Sequence, residues 1–71
     1  MKKIEKEYIE DLIIFIVDNG CCRQYIIKNV LELTEEKYSQ KQINRVINSL
    51  LKNEILTDVD NDDWIQVKAW I

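Results

Sequence analysis

The segment running from Ser39 and Gln42 through Ile43, Val46, Ile47, Leu50 and Leu51 constrains this chain more than any other. A Ser at a helix N-cap accepts a hydrogen bond from the amide three residues on. A Gln at that third position returns one, so two orphan donors are satisfied together. The aliphatic residues then recur at i, i+3, i+4, i+7 and i+8, the period of a helix that buries one side. The spacing predicts a helix over 39–53 whose apolar stripe must be covered by the rest of the chain. Seventy-one residues suffice for one domain with one small core. We therefore read residues 1–71 as a single unit, with no repeat, low-complexity tract or linker.

Upstream, a first helix is expected from about Ile4 to Asp18. Its stripe is Ile9, Leu12, Ile13 and Ile16, widened by Tyr8 and Phe15, with Glu7, Asp11 and Asp18 opposite. Ile14 falls on the polar side and is a candidate contact residue. Asn19-Gly20 should stop this helix, because Gly takes a left-handed C′ conformation without a Cβ penalty. A second helix is expected over about Arg23 to Glu32, facing Ile26, Ile27, Val30 and Leu31 inward. It lacks a Ser, Thr, Asp or Asn cap, and Cys21-Cys22 before it supplies an alternative short strand. Thr34 to Tyr38 reads as a polar loop.

Downstream of Asn53 the period becomes that of strands. Ile55–Val59 and Trp64–Ala69 flank Asp60-Asn61-Asp62-Asp63, which is turn chemistry. Ile65, Val67, Ala69 and Ile71 share one face of the second run, and Trp64, Gln66, Lys68 and Trp70 the other. A hairpin whose aliphatic face closes the core follows.

Composition removes several classes of function. At 46% hydrophobic and 32% charged residues the chain belongs with globular, not disordered, sequences. Its longest apolar run, Leu12–Val17, is too short to cross a bilayer or serve as a signal peptide, so a cytoplasmic location is expected. Adjacent Cys21 and Cys22 rarely reach disulfide geometry, and with no His they complete no zinc site. They read as two small half-buried side chains. No His, Gly-rich phosphate loop or nucleophile beside a base offers catalysis, so no enzyme and no cofactor are expected. Asp58, Asp60 and Asp62 match the first ligands of a calcium loop. Asp63 and Ala69 stand where that loop needs Gly and a bidentate Glu, so no metal is expected. Abundant Ile, Lys and Asn with a single Ala follow AT-rich codons and hint at a low-GC bacterium or one of its phages.

The net charge of −3 hides a polarised distribution. Residues 37–53 hold Lys37, Lys41, Arg45 and Lys52 with no acid, whereas residues 54–63 hold Glu54, Asp58, Asp60, Asp62 and Asp63 with no base. Stepping about 100° per residue from Ile43 leaves Lys41, Asn44, Arg45, Asn48 and Lys52 outside, with Gln40 on the N-terminal turn.

Three helices followed by a hairpin, with residues Ser39 to Leu56 as its most specific piece, resembles the winged helix-turn-helix family. The resemblance implies an α+β, mostly α, fold in which helix 39–53 enters the major groove. It implies DNA contacts from Lys37, Ser39, Gln40, Lys41, Asn44, Arg45, Asn48 and Lys52. Of these, Gln40, Lys41, Asn44 and Arg45 would face bases, Asn or Gln suiting adenine and Arg guanine, and Lys37 and Lys52 would face phosphates. The chain departs from the family pattern in three ways. Glu54 stands where Gly is common before the first wing strand, with Asn53 expected to make the left-handed turn. The wing is acidic and would repel phosphate. The connection between helices two and three is also longer than the usual short turn. Trp64 and Trp70, with Ile14, are candidate interface residues for a homodimer reading two half-sites. The function implied is a small sequence-specific transcriptional regulator on double-stranded DNA. The rival is a protein-interaction module on the same fold, such as a phage-encoded modifier of a host protein.

Overall fold

A computed structural model describes residues 3–18, 20–59 and 64–68. The elements run α1 (Lys3–Val17), β1 (Cys21–Cys22), α2 (Arg23–Leu33), α3 (Gln40–Lys52), β2 (Leu56–Val59) and β3 (Trp64–Val67). The strands form an antiparallel sheet in the order β1-β3-β2. Ile65 in the central strand lies opposite Cys21 on one side and Asp58 on the other. The architecture is α+β, mostly helical and winged-helix-like, and the strand alternative for Cys21-Cys22 is the one adopted. One core draws on every element: Ile9, Ile13 and Val17 from α1, Cys21, Ile26 and Val30, Ile43, Val46, Ile47 and Leu50 of α3, then Leu56, Ile65 and Val67. No described polar or charged residue is buried with them.

The stripe of α1 is rotated from the expected one. Ile9, Ile13 and Val17, each four residues apart, form its buried centre. Tyr8 and Phe15 lie far round the helix from that row and face solvent, Phe15 at 78% exposure, instead of widening the core. Ile14 moves the other way: it is half-buried and packs against the core, while still lining a surface depression with Phe15 and Tyr25. The helix ends at Val17, and Asp18 (φ 46°), not Gly20, takes the left-handed residue; Asn19 lies outside the described residues.

Helix α2 starts without a side-chain cap, as its sequence implied, and runs one residue past Glu32. Its exit carries strain. The amide of Glu36 donates to Leu31 O (2.8 Å) and that of Glu35 to Glu32 O (3.2 Å), with Glu35 at φ 53° and Glu36 at φ 59°. This is a Schellman exit with a carboxylate where Gly is favoured, at the negative end of the helix dipole. Glu35→Gly is expected to stabilise the domain by about 1 kcal/mol, raising Tm by about 4–8 °C. A melting temperature at or below that of the parent chain would contradict the assignment.

The loop before α3 is less polar than its sequence suggested. Tyr38 is buried at 6% exposure and joins the core, with the Lys37 ammonium 5.6 Å from its ring centre. Tyr38 and Ile43 occupy the N′ and N4 positions of a hydrophobic staple, which fixes the angle at which the chain enters α3. The capping box is present: Ser39 Oγ accepts from the Gln42 amide (3.1 Å) and Gln42 Oε1 from the Ser39 amide (2.9 Å). At the far end Glu54 (φ 61°), not Asn53 (φ −85°), makes the left-handed turn. The hairpin then buries Leu56, Ile65 and Val67, and leaves Trp64 and Lys68 exposed. Residues 60–63 and 69–71, including the acidic turn, Ala69 and Trp70, lie outside the described residues.

Candidate nucleic-acid interface

Burying Ile43, Val46, Ile47 and Leu50 fixes the rotation of α3 and so decides which residues look outward. Gln40, Lys41, Arg45, Asn48 and Lys52 are exposed, and Asn44 is half-buried on the flank facing α2. Ser39 is exposed, but its hydroxyl is engaged in the cap. The helix carries no carboxylate, so its outer side is a strip of cations and neutral amides with no negative charge among them.

Neighbouring helices extend this strip with residues that the sequence pattern did not single out. Between α2 and α3 lies an open cleft of about 850 Å³, where Arg23, Gln24 and Lys28 face Gln40, Lys41 and Asn44. Glu32 and Glu36 line the same cleft, so two carboxylates offset its cations. On the opposite flank of α3, Lys6 of α1 shares a shallow depression with Arg45. The spacing of Gln24 and Lys28, one helical turn apart, is the only sequence signal for the first group. Lys6 carries none, because only the packing of α1 against α3 brings it there. Lys37 is not gathered into the strip. It lines a separate depression with Glu5, Tyr8 and Leu33.

The closest side-chain interaction in this region joins α2 to α3. Arg23 Nη1 donates to Asn44 Oδ1 (2.6 Å) and to Asn48 Oδ1 (2.9 Å). Asn44, expected to read adenine, and Asn48 one turn on are thus both engaged on their acceptor side by a cation from the preceding helix.

The proposed interface residues distribute differently from the sequence expectation. Trp64 is 43% exposed, but its indole lies over Gly20, whose lack of a Cβ leaves room for it. Trp70 is outside the described residues. The most exposed large apolar side chains are on α1 and α2, Tyr8, Phe15, Tyr25 and Leu33, ahead of Ile55 and Trp64. Phe15 and Tyr25 line one depression, and Tyr8 and Leu33 another.

Cys21 and Cys22 are both free thiols. Burial first, and the neighbouring Cys22 second, push the Cys21 thiol up to about 11, so it stays protonated and a poor nucleophile at neutral pH. Among the described residues no three Cys, Asp or Glu side chains are grouped to hold a metal ion. No described helix is long and apolar enough to cross a membrane. Comparison with protein-family models, with curated proteins and with solved structures gives no significant match to this chain.

Proposed function

We propose that this protein is a small, cytoplasmic, sequence-specific DNA-binding regulator that inserts α3 into the major groove. The observation that carries the reading is the carboxylate-free outer face of α3, exposing Lys41, Arg45 and Lys52 around Asn48. Lys6 on one flank and Arg23 and Lys28 on the other widen the positive area beyond the helix. Gln40, Lys41 and Arg45 stand at the N-terminal half, the part of a recognition helix that reaches base edges. Lys52 sits a turn or more beyond, suited to phosphate. Clustered cations supply affinity through counterion release, and the helix edge supplies discrimination.

Binding to a random duplex, followed by fluorescence anisotropy, is expected to weaken steeply with salt. If about four cations meet phosphates, the log–log slope is about −4. Arg45→Ala is expected to lower discrimination between a selected and a random duplex by about 1–3 kcal/mol. Helical circular dichroism should be unchanged, since Arg45 is exposed. Absence of binding at low salt would sink the regulator reading.

A second reading, a protein-interaction module, is favoured by the aromatic surface on α1 and α2, with Phe15 at its most exposed point. Exposed apolar side chains gathered in this way, Phe15 with Tyr25 and Tyr8 with Leu33, mark contact sites. That reading predicts no retention on DNA and a stable protein complex lost on Phe15→Ser. It is also the surface on which two copies reading two half-sites would meet.

A further inference from the structure

We propose that Arg23 sets the base preference of α3, turning Asn44 and Asn48 from adenine readers into donor-only groups that favour guanine. The inference rests on the DNA-binding reading above and specifies which base edge that surface recognises.

Arg23 is the first residue of α2, and Cys22 before it belongs to the strand paired with β3. Its backbone is therefore held by the sheet while its side chain reaches α3. Asn44 and Asn48 are one turn apart, so a single Nη1 meets both oxygens, at 2.6 and 2.9 Å, using one hydrogen for each. A guanidinium has donors and no acceptor. Each amide must therefore present Oδ1 to Arg23 and turn Nδ2 away. Among the described residues no protein acceptor takes either Nδ2.

The chemistry of the groove edge then decides the preference. An Asn reads adenine with both atoms, Oδ1 accepting from N6–H and Nδ2 donating to N7. Here the oxygen that would accept already faces a guanidinium, whose charge repels an incoming amino hydrogen. The O6 and N7 atoms of guanine are both acceptors, and the same charge attracts them. Lys41 and Arg45 beside the pair are also donors only. From Lys41 to Asn48 the outer face of α3 thus offers hydrogen-bond donors, Gln40 on the first turn keeping an acceptor, and guanine presents acceptors in the major groove.

The test is selection of bound sequences from a duplex library with a randomised centre, using the parent chain, Arg23→Met and Asn48→Asp. Met keeps the length of the stem and removes the donors. Asp keeps the bond to Arg23 and removes the outward amine. The parent chain is expected to enrich guanine over adenine about tenfold in at least one central position. Arg23→Met should lose that enrichment or shift it toward adenine. Asn48→Asp should lose it even if Arg23→Met fails to fold, since position 48 is exposed. Enrichment of adenine by the parent chain, or an unchanged guanine profile in both variants, would overturn the proposal. Salt-sensitive binding to the unselected library without guanine enrichment overturns this assignment alone. No binding to that library at low salt removes the DNA-binding reading with it.

Discussion

Replacing Ile47 with Ala is expected to unfold most of the population at room temperature. Ile47 has no accessible surface and sits at the centre of the α3 stripe, between Ile43 and Leu50. Truncating a fully buried Ile removes its transfer free energy and leaves a cavity, together costing about 2–5 kcal/mol. A core in a chain of this length supplies no more than about 3–5 kcal/mol of net stability. The loss therefore takes most or all of the margin. Circular dichroism should show a collapsed helical signal, and urea titration should lack a native baseline. Ile47→Val, which removes one methyl group, is expected to cost about 0.5–1.5 kcal/mol and keep a cooperative transition. A cooperative melt for Ile47→Ala within a few degrees of the parent chain would show that α3 is not packed as described.

Gly20→Ala is expected to cost about 2–4 kcal/mol, for two separable reasons. The backbone at Gly20 has φ +119°, where L residues with a Cβ are strained whatever their surroundings. A Cβ there would also come within 2.5 Å of Trp64 Nε1 and 3.0 Å of Gln66 Cγ. Trp64 is half-exposed and can swing away, so part of the clash is relieved by moving the indole into water. In a Trp70→Phe background the emission of Trp64 should shift to the red as Gly20 is replaced. Adding Trp64→Ala should recover the steric part of the loss and leave the backbone part. A single variant as stable as its parent would contradict both the φ value and the indole placement.

The helix boundaries were largely legible because local chemistry sets them. The Ser39–Gln42 box places the start of α3 to the residue, and the missing cap before Arg23 shows in the sequence as it does in the structure. The ends were harder. After α1 and α3 the sequence suggested Gly20 and Asn53, residues tolerant of positive φ, and after α2 it suggested none. Positive φ falls also on Asp18 ahead of Gly20, on Glu54 in place of Asn53, and on Glu35 and Glu36 after α2. The cost of about 1 kcal/mol at such a position is small against a misdirected chain. The stripe on α1 was misplaced for a related reason. A run of six apolar residues has several possible inward faces, and only the packing against α2, α3 and β3 selects the row Ile9–Ile13–Val17.

The candidate site divides in the same way. Periodicity alone determined that Lys41, Arg45, Asn48 and Lys52 face outward, because burying the opposite stripe leaves them no other place. Charge counting alone showed that helix 39–53 has no acid. What the sequence had no means to express was which distant residues join that face. Arg23 lies 21 residues before Asn44, and Lys6 lies farther still from Arg45. Their approach depends on how three helices pack, and on β1 pairing with β3 to anchor the start of α2. The chemical types on the outer face were therefore set by sequence. The donor-only character of its two asparagines was decided by the tertiary fold, because a hydrogen bond across two helices, unlike a helical period, has no local signature.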